Sequence, residues 1–359
     1  MNAIEILKKL EDFRLLPFFV IISIIIGIFI GKELGISEFQ LTPPIDAIKQ
    51  IFSGTFAFTV PNAISLGVPI GLFLMMYPAM TNVRIGDIGK ALRSPKQLAV
   101  VLFFNFAVAP FFMLLLADLF ISDAEFHTGV VLYGLAPCIA MVIVFTYLAK
   151  GNNALALVLV AFNSIIQMLL IPVYAKLLIG SVDFDILIVA ESVILYLGLP
   201  LFFGVLTRRH GVEKYGEEEF ENKFTPILSA LSIIGLLFTL IVMFSLKGDL
   251  IVETPEIILI IAIPITIFFI IIFWVVYLVS WRLGLNYEDS VACAFNSTGR
   301  DFEIAIAIAI TAFSPVVALA TVVGPLIEVP VMLFLVWAAK NTKSKLFIKN
   351  GKNKRTTLL

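Results

Sequence analysis

The chain has 359 residues, 60% of them hydrophobic and 14% charged, with a formal net charge of −1 and a mean hydropathy of +1.05. No water-soluble core absorbs that much apolar chain, so a soluble globular domain is excluded and the length is better divided by the roughly 20 residues that one membrane crossing needs. Two cysteines exclude a disulfide scaffold, and a net charge near zero identifies no partner, because in a membrane protein the information lies in where the charges sit.

Apolar runs bounded by charge or by Pro, Gly and Asn predict membrane-spanning helices over 15–31, 60–80, 98–120, 128–149, 154–179, 186–206, 226–246, 256–280, 288–313 and 316–339. The first run has the length of a signal peptide but no small-residue cleavage site, so it is expected to be the first helix of the mature protein. Ten spans put both termini on one side. With the N-terminus in the cytoplasm, twenty of the 25 Lys and Arg residues fall inside and four outside (Lys32, Lys49, Lys176, Lys247), while Arg300 falls within a span. That asymmetry supports the count, because dropping one span would invert every later loop.

The longest polar stretch, in the middle of the chain, reads as a cytoplasmic loop over 207–225. It separates 1–206, a five-helix repeat plus the sixth helix, from 226–359, helices 7–10 and a basic tail. A shift of 161 residues lays 159–167 on 320–328 and Pro137-Cys138 on Thr298-Gly299. Five spans per half is an odd number, so the halves insert with opposite topology. The expected fold is therefore an all-α polytopic membrane protein of ten transmembrane helices, built as two inverted five-helix repeats within one transmembrane domain.

The fourth and ninth spans look broken, and in such a fold broken helices cross where a solute binds. The fourth carries Pro137-Cys138 at its middle, where a proline removes a backbone donor. The ninth carries the polar run Asn296 to Glu303. Non-helical backbone at this depth is expected to line a cavity.

Arg300, Asp301 and Glu303 each carry a charge that costs about 2.5–3.5 kcal/mol at a bilayer centre, so they must be paired, neutralised or wet. A structural ion pair of Arg300 with Asp301 or Glu303 is one reading; a role in binding or coupling is the other. Cys138 reads either as a small buried hydrophobe or as a functional thiol, and its place beside a helix-breaking proline favours the thiol. Cys293 is expected to pack. Glu328, after Gly324-Pro325 in the tenth span, faces either a cavity or a neighbouring helix. Asn105, Asn163 and Gln167 read as polar contacts between helices. No HExxH, P-loop or nucleophile elbow occurs, so an enzyme and a self-contained ATP-driven pump are both disfavoured and no cofactor is expected.

Longer motifs sharpen this. Gly71–Val83 (GLFLMMYPAMTNV), Gly134–Val142 (GLAPCIAMV), Ser192–Pro200 (SVILYLGLP), Met243–Gly248 (MFSLKG), Phe302–Ala307 (FEIAIA) and Ala318–Pro330 (ALATVVGPLIEVP) resemble the arsenite permeases of the bile acid/sodium symporter superfamily in order and spacing. The resemblance implies a secondary transporter of the plasma membrane that exports trivalent arsenic as arsenous acid, with antimonite a further candidate, in exchange for protons. It makes Cys138 the thiol ligand of As(III) and Glu303 the coupling carboxylate, and matches Asn163 and Glu328 to further polar positions. As(III) is soft and thiophilic, and a carboxylate can alternate between charged and protonated forms, so both roles are chemically sound. Asp301 and Glu328 are further coupling candidates, and Asn163 joins Cys138 and Arg300 as a candidate substrate ligand. Arsenite, protons or Na⁺, and the lipid bilayer are the expected partners, with no nucleic acid.

The family pattern has Arg before the cysteine, Trp seven residues after it and an Asn pair before the Phe-Glu; here these are Pro137, Phe145 and Arg300-Asp301. A basic residue has thus moved from one broken helix to the other, which either preserves local neutrality or makes Arg300 a group that holds substrate. Sodium-coupled symport of a small organic anion is the alternative function.

Overall fold

The computed structural model describes residues 16–34, 50, 53, 60–81, 94–139, 141–179, 184–253, 256–343 and 346–347, and among these no strand occurs. The helices are α1 (Leu16–Leu34), α2 (Val60–Met80), α3 (Pro95–Phe120), α4 (Ala124–Leu135), α5 (Met141–Leu148), α6 (Asn153–Leu178), α7 (Ile186–Tyr215), α8 (Thr225–Glu253), α9 (Glu256–Arg282), α10 (Tyr287–Thr298), α11 (Phe302–Ala312) and α12 (Pro315–Lys343). Six helical runs among the described residues are long and apolar enough to cross a membrane: α3, α6, α7, Glu217–Val242 at the start of α8, α9 and the Val316–Lys343 part of α12. The chain is an all-helical polytopic membrane protein. Of the basic residues counted above, Lys8, Lys9, Arg14, Lys49, Arg84, Lys90, Arg93, Lys345, Lys349, Lys352, Lys354 and Arg355 lie outside the described residues.

The helices sort into two layers. In the smaller, α8 packs along α1 and α2, and α7 closes against α2. Glycine sets how closely α1 can approach: a Cβ on Gly27 would lie 2.5 Å from the Ile241 carbonyl oxygen, and Gly31 follows one turn later in a small-xxx-small pattern. The larger layer joins α3–α6 to α9–α12, with α9 against α3, α10 and α12, and α12 against α4 and α11. Its interior is aromatic. Phe273 packs against Tyr277 and Phe295, and Phe295 stacks on Phe145 with ring centroids 5.9 Å apart.

Side chains that accept from free N–H groups start the helices that matter. Asp123 accepts from Glu125 and Phe126 at the head of α4, Asn152 from Leu155 at α6, Asn286 from Asp289 at α10, and Asp301 from Ile304 at α11. Short π-helical turns, Phe103–Val108 in α3 and Ile194–Gly198 in α7, each precede a proline, Pro110 or Pro200, whose missing N–H loosens the ladder.

The segment 207–225 is not the loop its polarity suggested. α7 runs on to Tyr215, the chain turns at Gly216 (φ 82°), and Glu217–Glu219 and a π turn at Phe220–Phe224 lead into α8. Charge pairs hold this polar segment helical: Arg209 with Glu213 and Glu219 with Lys223, each four residues apart. Arg208 is the buried anchor. It donates to the Thr81 carbonyl (3.3 Å), Glu217 (3.3 Å) and Glu221 (2.8 Å), and lies 5.6 Å from the Phe220 ring centroid. Arg208→Met is expected to expose the segment to trypsin at Arg209 and Lys214 without lowering the melting midpoint of the whole protein, as limited proteolysis and a thermal melt would show.

Candidate functional site

The site is built where two helices stop short. α4 ends at Leu135 because Pro137 cannot donate and forces Ala136 into extended backbone (φ −103°, ψ 112°). α10 ends at Thr298 because Gly299 is extended (φ −60°, ψ 142°) and Asp301 then restarts the chain as α11. The two breaks lie against each other as a short antiparallel bridge between Pro137 and Arg300. Cys138 N–H donates to the Gly299 carbonyl (3.0 Å) and Asp301 N–H donates to the Ala136 carbonyl (2.8 Å). Each break thereby supplies the backbone partners that the other lost, which a membrane interior requires.

Arg300 fixes this crossing. It is fully buried; Nη2 donates to Asn105 Oδ1 (2.8 Å) and the Ser297 carbonyl (2.5 Å), Nη1 to the Gly134 carbonyl (3.3 Å) and Nε to the Thr298 carbonyl (3.3 Å). Three of these acceptors are terminal carbonyls of α4 and α10, so the cation rests on the negative ends of two helix dipoles. Its guanidinium carbon lies 5.2 Å from the Phe268 ring centroid. The partners are carbonyls, an amide and a ring, in place of the Asp301 or Glu303 ion pair that the sequence suggested. One of its acceptors, the Gly134 carbonyl, belongs to the other broken helix.

Cys138 is buried just before α5, and its Cβ and Glu328 Oε1 both face Gly299, at 3.0 and 3.4 Å from where a Cβ on that glycine would stand. Glu328 accepts from Tyr133 Oη through Oε2 (2.9 Å), and its Oε1 has no partner in the protein. Asp301 uses Oδ1 to cap α11 and leaves Oδ2 unpartnered; its carboxylate and that of Glu303 are close enough to repel when both are charged. Glu303 and Glu328 open onto a cavity of about 200 Å³ between the two layers, walled by α1, α2 and α8 on one side and α5, α11 and α12 on the other. The walls are apolar apart from Ser232 and the two carboxylates.

Asn163 and Gln167, one turn apart on α6, are fully buried with no side-chain partner in the protein, so the helix contacts expected for them are absent among the described residues. Asn105 does make a helix contact, giving Nδ2 to the Asn296 carbonyl (3.1 Å) while accepting from Arg300. Cys293 packs, as expected, with its sulfur 3.9 Å from the Gln97 carbonyl. Tyr133 and Phe268 went unnoticed in the sequence. The signal for Tyr133 was a lone phenol in an apolar helix, which must find an acceptor when buried.

The sodium bile acid symporter family model matches residues 69–254. The arsenical-resistance protein Acr3 of Corynebacterium glutamicum is 35% identical over 93% of this chain and 90% of its own length. That of Alkaliphilus metalliredigens is 35% identical over 87% of this chain and 95% of its own. An uncharacterised transporter of Synechocystis is 34% identical over 92% and 88%.

Proposed function

The chain belongs to the sodium bile acid symporter family, and from that premise we propose that it exports arsenite in exchange for protons and confers arsenic resistance. One observation carries the reading: the paired breaks set Cys138 beside Glu328 across the bare face of Gly299, and Glu328 and Glu303 open onto a cavity between the layers. Cys138 is the soft ligand for As(III). Glu303, at the head of α11 and in the cavity wall, is the group that takes up and releases the proton, with Asp301 and Glu328 as the neighbouring carboxylates that set the local field. Asn163, buried on α6 with both polar side-chain atoms unpartnered, is a further candidate to bind solute, and Arg300 serves binding by holding the crossing in place.

The ten spans form two inverted five-helix repeats, in the plasma membrane, with both termini cytoplasmic. Exchange of one inward proton for one neutral outward arsenous acid moves one charge through the membrane. At about 2.3 kcal/mol per 100 mV that sustains roughly a 50-fold concentration ratio, enough for detoxification without ATP.

Arsenite accumulation in proteoliposomes under an imposed proton gradient tests the coupling. Wild type accumulates arsenite, Glu303→Gln equilibrates it without accumulation, and Asp301→Asn retains reduced accumulation. Continued accumulation by Glu303→Gln would remove that residue from coupling. If a sodium gradient alone drives wild-type flux, sodium symport replaces proton exchange.

A further inference from the structure

Glu328 is placed for more than coupling. It is 2% exposed, its Oε2 is fixed by the Tyr133 hydroxyl at 2.9 Å, and its Oε1 has no partner. Leaving a buried carboxylate oxygen unpaired is costly, so it points to a donor that arrives with a ligand. That oxygen faces Gly299: a Cβ there would lie 3.4 Å from Oε1, 3.0 Å from Cys138 Cβ and 2.5 Å from Val142 Cγ1. The bare face of Gly299 is therefore the floor between thiol and carboxylate. Gly324 completes the arrangement one turn before Glu328 on α12, because a Cβ at 324 would lie 2.6 Å from the Tyr133 ring. Glycine at 324 lets the ring pass α12 and reach the carboxylate, and Phe269 meets the same ring edge-on at 6.3 Å.

We propose that Glu328 Oε1, held by Tyr133, accepts a hydrogen bond from a hydroxyl of the trivalent solute once that solute is on Cys138, and so selects for solutes that keep a hydroxyl there. The inference rests on the thiol reading above. The step balances: the sulfur forms a bond to arsenic, one As–O bond breaks, and the departing hydroxyl takes the thiol proton and leaves as water. Arsenous acid then retains two hydroxyls to donate, as does antimonous acid. Dimethylarsinous acid spends its single hydroxyl on the thiol and has none left for Glu328. The accepted class is thus the trivalent hydroxides of arsenic and antimony, and dimethylated arsenic is disfavoured.

Calorimetric binding of arsenous acid and of dimethylarsinous acid to the purified full-length Cys293→Ser protein tests this. Glu328→Met is expected to weaken arsenous acid by about 10-fold, the effect of one hydrogen bond to a charged group, and to leave dimethylarsinous acid unchanged. Glu328→Gln keeps an acceptor and loses less, which a purely proton-carrying role would not allow. Tyr133→Phe preserves the packing, frees the carboxylate and shifts arsenous acid in the same direction by a smaller factor, so the inference stays testable should the methionine variant not fold. Equal weakening of both solutes, or of neither, overturns the role of Glu328. If Cys138→Ser binds arsenous acid as tightly as wild type, the thiol reading itself has failed, and this inference falls with it.

Discussion

Cys138→Ser is expected to reduce arsenite flux to that of empty vesicles while the protein inserts and melts as wild type does. The reasons lie in separate atoms. What holds residue 138 in place is its main chain, whose N–H donates to the Gly299 carbonyl at 3.0 Å, and a serine makes the same bond. The atom proposed to bind As(III) is the sulfur, and a hydroxyl of similar size offers a hard oxygen to a soft ion. Cys293→Ser supplies the control: Cys293 is as buried, but it lies two turns before the break in α10 with its sulfur against the Gln97 carbonyl, a contact that serine keeps. Flux in reconstituted vesicles, read beside a thermal melt, separates the two cysteines. Full flux in Cys138→Ser would take the thiol out of the mechanism.

The breaks were legible because their causes are local. Pro137 lacks a donor wherever it stands, and the polar run Asn296 to Glu303 marks the second break in an otherwise apolar span. The 161-residue shift sets Pro137-Cys138 against Thr298-Gly299, and the two breaks do lie side by side. The partners of Arg300 were not legible, since Asn105 lies 195 residues away on a π turn that no periodicity reports, and Gly134 is 166 residues away. A pairing with Asp301 or Glu303 looked natural because those residues are adjacent in sequence. Yet Asp301 is turned to cap α11 and Glu303 opens to the cavity, so the guanidinium meets the carbonyls left behind by the ends of α4 and α10. The same limit explains 207–225: its charges read as a solvated loop, while their spacing four apart is what lets the segment stay helical.

Arg300→Met is expected to be strongly destabilising, by several kcal/mol, because each buried acceptor left without its donor costs about 1–3 kcal/mol. Methionine fills part of the volume beside Phe268 but leaves Asn105 Oδ1 and the Ser297, Thr298 and Gly134 carbonyls without their donor, in a body where water does not replace it. It also removes the positive charge facing Glu328 and the two half-helix ends, so the carboxylates around Cys138 lose their compensation. Arg300→Lys restores the charge but not the planar fork, and a single ammonium with three donors cannot reach four acceptors in this arrangement. Its melting midpoint should therefore fall between methionine and wild type. Asn105→Leu should lower the midpoint in the same direction, and the pair Arg300→Met with Asn105→Leu should cost less than the sum of the two singles, because they share one bond. Thermal melts of the purified proteins in detergent, with the double-mutant cycle, decide the matter. Additive losses, or a midpoint unchanged in Arg300→Met, would show that the crossing holds without its cation.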